Sequence, residues 1–249
     1  MFELNYQLAG DRGILIHFKD EVSEEVFQRV VSFEKGVLAA NLPGVSETIR
    51  SYSTLFVAYD PLKTNHEALI QQLQGISRAA TVETMLFPKK RILEVPILYG
   101  RDYGPDLPLL AQMLEMSQDE VIRRHLSHDY LIYITAFLGG AAFFKGTDKM
   151  FDVPRKKTPA LLHPQGTVNL ANGLGTAFMP MDSPTGWYGI GRSPLRQWYP
   201  DRDPPVLIKS GDWIRYKRID EEEFKEIRKA VDLGEYEVKN LAPEMTRAE

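Results

Sequence analysis

Between Gly139 and Pro205 the chain has no room for a long run of regular structure. Nine of its 18 glycines fall between Gly139 and Gly191, and nine of its 16 prolines fall between Pro154 and Pro205. Proline breaks helices and removes a ladder donor from strands, and glycine weakens both. Short apolar runs remain between them: ALL, TVNLA, TAFMPM, WYGIG, PVLIK and, just beyond, DWIRYKRI. Such punctuation permits short strands joined by tight turns, so this half of the chain predicts an antiparallel barrel or sandwich. Asn172-Gly173 within it is a hairpin-turn dipeptide.

The first half is patterned differently. Arg12–Lys19 reads as a strand. From Ser23 onward, Val26, Val30, Phe33 and Val37 recur at three- and four-residue steps, which is one face of a helix. Ser23 can cap that helix, and Glu24 and Glu25 suit its positive end. SETIRSYSTLFVAYD reads as one strand or as two with a turn. Thr64-x-x-Glu67 has capping-box spacing and opens a helix with Leu69, Leu73 and Ile76 on one side. A closing strand after this β-α-β-β-α order would complete a ferredoxin-like unit over residues 1–90. The predicted barrel domain spans residues 91–220. It opens with a strand through Val95–Tyr99, continues through two short helices, the second capped by Ser117-x-x-Glu120, and then a strand in DYLIYITAFL. Residues 221–249 predict a helix with a Glu221–Lys225 pair, followed by a polar, poorly ordered tail. The fold class is therefore α+β: an N-terminal α/β domain followed by an antiparallel β-barrel.

Composition narrows the function classes. The net charge of −4 gives no overall basic field for a nucleic-acid partner. The absence of cysteine excludes disulfides, thiolate nucleophiles and cysteine-ligated zinc. MFELNYQLAG lacks a basic and then apolar leader pattern, and no apolar run approaches the ~20 residues of a membrane span. These absences predict a cytoplasmic protein without membrane attachment. There is no phosphate loop of the G-x-x-x-x-G-K-[ST] type, no G-x-G-x-x-G after a strand, no G-x-S-x-G and no H-E-x-x-H, so any nucleotide must be held by another geometry.

Four stretches carry candidate chemistry. His125 and His128 form H-x-x-H at the end of a predicted helix, with Asp129 as a third donor. A closed zinc site needs four ligands, so the favoured reading has the histidines at the negative helix end and no metal site. His125 can alternatively face a site as acid or base. Pro154–Pro159, PRKKTP, holds three cations in an extended loop, and the Arg155 fork suits a carboxylate or phosphate. His163, Asn169 and Asn172 sit among glycines, where backbone N–H groups can approach an oxyanion but ordinary β-turns serve as well. In SPTGWYGIGRSPL, Trp187 is a core anchor or a stacking wall. Arg192 must reach solvent or a carboxylate, because a barrel interior does not accept an unpaired guanidinium.

The ordered motifs from about Val95 to Ile219 resemble one family. VPILYGRDYGPDLPLLAQMLEMSQDEVIRRH is similar to V-P-x-x-Y-G…G-P-D-L…E-V-I-x-x-H, and SPTGWYGIGRSPL to S-P-G-G-W-x-x-I-G-R-T-P-L. Pro154-Arg155, Thr158-Pro159 and Gly166-x-Val168 follow the same order, and DRDPPVLIKSGDWIRY resembles the closing D-x-x-x-P-P…G-D-x-V-x-F. This is the pattern of the bacterial 5-oxoprolinase B subunits, also called the allophanate hydrolase subunit 1 or KipI family. The resemblance implies a cyclophilin-like barrel. It implies an ATP-dependent hydrolase that opens 5-oxoproline, a small lactam, to glutamate beside a C subunit (allophanate hydrolase subunit 2-like) as partner and a lactam-utilisation A subunit. Two other branches imply a carboxyltransferase role in biotin-dependent urea carboxylase, or a non-catalytic regulator or scaffold that binds a protein partner.

The chain departs from the family in places. AFLGGAAFFKG stands where the family has G-F-x-P-G-F-x-Y-L-G, so Gly139 replaces a proline and the tyrosine hydroxyl is lost. GTVNLANGLGTAFMP lacks the glutamine of G-S-V-G-I-A-G-x-Q-T-G-I-Y-P, and Ala160 replaces an arginine. On this resemblance His125, Arg155 and Arg192 are the expected catalytic residues, the arginines for anion contacts and His125 for proton transfer or orientation. Phe137, Gly139, Gly140, Gly166, Ser183 and Trp187 are the expected substrate-binding residues, with backbone donors near Gly140 and Gly166 and a wall at Trp187. ATP is the implied cofactor, activating the amide oxygen by phosphorylation, and no metal is expected in this chain.

Overall fold

The structure, a computed structural model, describes residues 4–79 and 91–242. The chain divides into two compact units, Met1–Pro88 and Lys89–Glu249.

In the first unit, strands β1 (Asn5–Leu8), β2 (Gly13–His17), β3 (Val45–Arg50) and β4 (Thr54–Tyr59) form an antiparallel sheet in the order β1-β2-β4-β3. Alternation along β2 and β4 sends Ile14, Ile16, Leu55 and Val57 to one face. There they meet Val26, Val30, Phe33 and Val37 of helix α1 (Glu24–Ala40) and Leu69 and Leu73 of helix α2 (His66–Ala79). The Ser23 hydroxyl accepts from the Val26 N–H, as its position predicts. The cap of α2 falls one residue later than the Thr64 spacing suggests. Asn65 Oδ1 accepts from the Ala68 N–H at 3.0 Å, because the helix begins at His66. The expected closing strand after α2 lies outside the described residues. The sheet edge beside β2 is taken by β1, an N-terminal strand that the apolar pattern does not announce.

The second unit is built on a closed seven-stranded barrel. Its strands are β5 (Ile92–Tyr99), β6 (Asp129–Ala136), β7 (Ala141–Lys145), β9 (Thr167–Ala171), β10 (Leu174–Thr176), β12 (Tyr188–Arg192) and β13 (Trp213–Arg218), in the order β10-β7-β6-β13-β5-β12-β9. Closure removes the exposed edges that such short strands would otherwise present. Val95, Ile97, Ile132, Phe144, Val168, Leu170, Ile190 and Ile214 belong to the core of this unit. Strands β8 (Ala160–His163) and β11 (Ser183–Thr185) form a separate two-stranded ribbon. Helices α3 (Leu107–Met113) and α4 (Gln118–Leu126) lie between β5 and β6 in the chain, and the Ser117 hydroxyl caps α4 by accepting from the Glu120 N–H. Asn172 and Gly173 both have positive φ, 53° and 76°, which is the I′ pattern of the β9–β10 hairpin.

One expectation for this unit is corrected. The barrel is not purely antiparallel, because β13 runs parallel to β5 over six residue pairs. A parallel neighbour needs a long crossover, and the whole chain between these strands supplies it. The helix expected after residue 220 is present. Helix α5 (Glu221–Leu233) starts with an Asp220/Glu223 capping box, and Lys225 pairs with Glu221 at 2.8 Å. Beyond it, the Glu94 N–H donates to the Lys239 carbonyl and the Leu241 N–H to the Ile92 carbonyl, tying the chain to β5. Among the described residues no helix is long and apolar enough to cross a membrane.

Candidate functional site

A pocket of about 250 Å³ opens at one side of the barrel. Its walls are Phe143 of β7, the Pro184–Trp187 stretch, Arg155 and Phe137, and Asn169 and Thr176 contribute polar atoms. Trp187 is nearly buried. Its ring meets Phe143 edge to face at 5.9 Å, and the Arg155 guanidinium lies over it at 5.5 Å. Arg155 itself is exposed and has no acidic partner within ion-pair distance among the described residues. A cation held on an indole face beside an open pocket is preorganised for a planar anion.

Behind Asn169 lies a polar network that no local motif announces. The Asp106 carboxylate accepts from Lys156 Nζ at 2.9 Å and from the Gly189 N–H at 2.8 Å, and lies 3.4 Å from His163 Nε2. On its other side His163 Nδ1 is hydrogen-bonded to the Asn169 side-chain amide at 2.7 Å. Burial alone would raise the Asp106 pKa. Hydrogen bonds from His163, Lys156 and the Gly189 N–H outweigh it and hold the group at about 2. Asp106 is thus a fixed negative charge at neutral pH and does not exchange protons there. It orients Lys156 and His163, and His163 in turn fixes the amide of Asn169 at the pocket. The Asn169 Nδ2 is left with only a long, 3.5 Å contact to the Thr167 carbonyl, so it has donor capacity for a ligand carbonyl.

Local structure explains the convergence. Asp106 stands just before helix α3, yet makes no side-chain cap bond to it. Its carboxylate is turned instead toward the β12 backbone. Gly189 permits the approach: a Cβ there would lie 2.9 Å from His163 Cε1 and 3.0 Å from Thr167 Cγ2. Lys156 is fastened by its backbone N–H to the Gly186 carbonyl at 2.7 Å. Three of these residues lie in or beside motifs of the family resemblance, although no local spacing joins them. Asp106 belongs to G-P-D-L, Lys156 follows Arg155, and Asn169 stands at the second glycine of the family's G-S-V-G.

The expected catalytic residues do not converge. His125 has no exposed surface. Its ring packs against Tyr216 at 4.4 Å and near Tyr130 and Phe151, and its Nδ1 is 2.8 Å from the Tyr99 hydroxyl. Burial lowers its pKa to about 3, so it is neutral in the fold. The ring lies among aromatic side chains and outside the lining of the pocket, where the expectation of proton transfer would have placed it. His128 bonds to Ser127, and Asp129 is held by Arg215, so H-x-x-H and Asp129 do not gather around one point. Arg192 reaches neither His125 nor the pocket lining. Its guanidinium lies 5.4 Å over Tyr103 and donates to the Asp102 carbonyl, while its Nε is buried without a partner.

The substrate-binding expectations divide. Phe137 and Trp187 line the pocket. Ser183, the first residue of β11, opposes His163 across the ribbon, and its hydroxyl is buried without a hydrogen bond. Gly139 packs at the turn before β7 against Pro180 and Met181. The Gly140 N–H is spent on the Phe137 carbonyl and the Gly166 N–H on the Met179 carbonyl. These two glycines therefore shape turns and do not offer the expected free backbone donors.

Comparison with known proteins follows the same lines. The carboxyltransferase domain, subdomain C and D, matches residues 4–208. The chain is 32% identical to the 5-oxoprolinase B subunit of Bacillus subtilis over 89% of this chain and 96% of that one, and 26% identical to the 5-oxoprolinase B subunit of Escherichia coli O157:H7 over 84% and 93%. Among solved structures, TTHA0988 is 29% identical with a TM-score of 0.71, covering 84% of this chain but 40% of its own. The urea carboxylase of Kluyveromyces lactis, 18% identical, shares the fold with a TM-score of 0.78 over 96% of this chain and 24% of its own. The chain thus spans less than half the length of both of these polypeptides.

Proposed function

The chain belongs to the carboxyltransferase subdomain C and D family that includes the 5-oxoprolinase B subunits, and from that premise we propose that it is the lactam-holding component of an oxoprolinase-like, amide-opening complex. The finer fold assignments, ferredoxin-like for the first unit and cyclophilin-like for the barrel, and a cytoplasmic setting go with this reading. The observation that carries it is the pairing of an arginine on the Trp187 face, without an acidic partner among the described residues, with an amide, Asn169, held by buried His163 and half-buried Asp106. A five-membered lactam bearing a carboxylate suits both. Arg155 would take the carboxylate as a forked pair, Trp187 would cover the ring face, and Asn169 Nδ2 would donate to the lactam oxygen. Charge that develops on that oxygen would feel the Lys156 ammonium behind the wall, while Asp106 stays ionised and keeps the network in register.

ATP does not fit this pocket. Pockets for drug-sized ligands run from about 300 Å³ upward, and among the described residues Arg155 is the only charged side chain lining this one. In this reading the nucleotide is held elsewhere in the complex, with companion polypeptides resembling the C and A subunits, and no step in this chain is routed through it.

The test is to purify the chain with its companion subunits and follow glutamate released from 5-oxoproline in the presence of ATP. Turnover that requires this chain supports the reading. An assembled complex that binds its partners but neither binds nor opens a lactam refutes it, and favours the regulatory or scaffold alternative. Urea-dependent carboxyl transfer by the same complex would instead favour the carboxyltransferase alternative.

A further inference from the structure

Thr176 is a polar residue in a place that favours an apolar one. It ends the short strand β10, is 2% exposed and lines the pocket beside Asn169. Val168 and Leu170 belong to the barrel core, so Asn169 between them turns to the other face of β9, where the pocket lies. Strand β10 is the neighbour of β9, and their paired residues run from Leu174 with Ala171 to Gly175 with Leu170. One step further the side chain enters the ladder: the Asn169 N–H donates to the Thr176 hydroxyl oxygen at 3.0 Å. The backbone around Thr176 is pinned separately, because the Tyr216 hydroxyl donates to the Thr176 and Ala177 carbonyls at 3.0 Å each.

A threonine hydroxyl has one proton to give and two lone pairs to offer. Here one lone pair is used by Asn169, and no acceptor among the described residues takes the proton. A hydroxyl withdrawn from water with its donor unmade costs free energy that valine, of nearly the same shape, avoids. The Thr176 oxygen is thus fixed in position on the pocket wall while its proton remains to be given. The Asn169 side chain next to it is fastened as well, through its 2.7 Å bond to His163.

We propose that the Thr176 hydroxyl donates to the lactam oxygen beside Asn169, so that two fixed dipoles meet the charge that grows on this oxygen as the amide opens. Donors held in place beforehand stabilise such charge without reorganising. The division of labour sets the specificity: Arg155 reads the carboxylate and Thr176 reads the ring carbonyl. Five-membered ring carboxylates that carry a carbonyl are then preferred over those that do not, whether or not the ring holds an N–H. The inference rests on the proposed function for the kind of ligand, and it adds the residue that recognises the reacting group.

Calorimetric titration of the full chain assembled with its companion subunits tests this with three compounds. These are 5-oxoproline, 3-oxocyclopentanecarboxylate, which keeps the carbonyl but lacks the ring N–H, and cyclopentanecarboxylate, which lacks both. Thr176→Val is expected to weaken binding of the first two by about tenfold and of the third by less than about twofold. Its kcat for glutamate release is expected to fall by about a hundredfold, the effect of losing one such donor. Thr176→Ser keeps the hydroxyl and is expected to stay within about threefold of wild type in both measurements. Thr176→Ala makes the same deletion as valine with less bulk, so the comparison does not depend on how valine is accommodated. A double-mutant cycle separates direct contact from an effect through Asn169. In Asn169→Ala, which has no side-chain amide to position, Thr176→Val is expected to weaken 5-oxoproline by a further fivefold or more, roughly. No further loss in that background overturns the inference, because the hydroxyl then only holds Asn169 in place. Wild-type affinity of Thr176→Val and Thr176→Ala for 5-oxoproline also overturns it. So does a loss for 5-oxoproline that spares 3-oxocyclopentanecarboxylate, since the hydroxyl then serves the ring N–H. Each of these three results leaves the lactam reading standing. A wild-type complex that binds none of the three compounds overturns that reading and this inference together.

Discussion

Replacing Asp106 by asparagine keeps the shape of the side chain and removes its charge. Lys156, whose side chain is 13% exposed, then loses its ion-pair partner, and His163 loses the neighbouring carboxylate. The Gly189 N–H keeps an acceptor in the amide oxygen, but the new amide N–H₂ must then face Lys156 or His163. Two routes give the magnitude. A drop from 3.8 to about 2 in the folded state corresponds to about 2 kcal/mol at ~1.36 kcal/mol per unit, and partial exposure trims that to about 1–2 kcal/mol. Breaking a buried pair by removing one partner costs about 3–5 kcal/mol in fully enclosed cases. Asp106→Asn is therefore expected to destabilise the second unit by about 2–4 kcal/mol. Lys156→Met removes the stranded cation, so the double variant should be more stable than the sum of the single losses by about 1–3 kcal/mol. Urea unfolding followed by tryptophan fluorescence is the assay, since Trp187, Trp198 and Trp213 all lie in the second unit. The sign also fixes the pH behaviour. A carboxylate with a lowered folded pKa contributes fully above its unfolded value near 3.8 and loses that contribution as pH falls toward about 2. The gap between wild type and Asp106→Asn should therefore close over that window. A variant within about 0.5 kcal/mol of wild type at pH 7, or a strictly additive cycle, refutes the network.

Three further outcomes follow from the same packing. His125 is neutral in the fold down to about pH 3 but protonates near 6.5 when unfolded, so the second unit should lose about 1 kcal/mol per pH unit below 6.5. In His125→Phe that slope should disappear in the same unfolding assay. Gly189→Ala places a methyl against His163 and Thr167 and should cost about 1–3 kcal/mol by overpacking, read from the urea midpoint. Gln197 is buried, donates to the Gly140 and Ile208 carbonyls and accepts from the Ile208 N–H. Gln197→Leu strands all three groups and should destabilise by about 2–4 kcal/mol, with thermal unfolding as the check.

What was legible in the sequence was local. The apolar spacing from Val26 to Val37, the Ser23 and Ser117 caps and the Asn172-Gly173 turn each depend on neighbours within a few residues, and all appear in the fold. Glycine and proline density pointed to the barrel, but not to the parallel pairing of β13 with β5, which joins residues more than 100 positions apart. The site failed to read for the same reason. Asp106, Lys156, His163 and Asn169 come from a loop before a helix, an extended loop, a ribbon strand and a barrel strand, so no local spacing connects them. Aspartate before a helix reads as a cap, and here the β12 backbone and Lys156 outcompete that role. His125 shows the opposite contrast. A histidine near a helix end looks available, and only tertiary packing reveals four aromatic rings around it. Arg155 and Trp187, which the structure places at the pocket, stand out because a cation between prolines and an aromatic among glycines are conspicuous without knowledge of the fold.

The central claim is that this chain, through Arg155 and the Trp187 face, holds a carboxylate-bearing lactam. The most direct measurement is a calorimetric titration of 5-oxoproline into the assembled complex, run beside 2-pyrrolidinone, the same ring without the carboxylate. The account predicts saturable binding of 5-oxoproline that Arg155→Ala weakens by about 10- to 100-fold, the range of a charged hydrogen-bonded contact, with the weak binding of 2-pyrrolidinone unchanged. Equal affinity of wild type and Arg155→Ala for 5-oxoproline would contradict it.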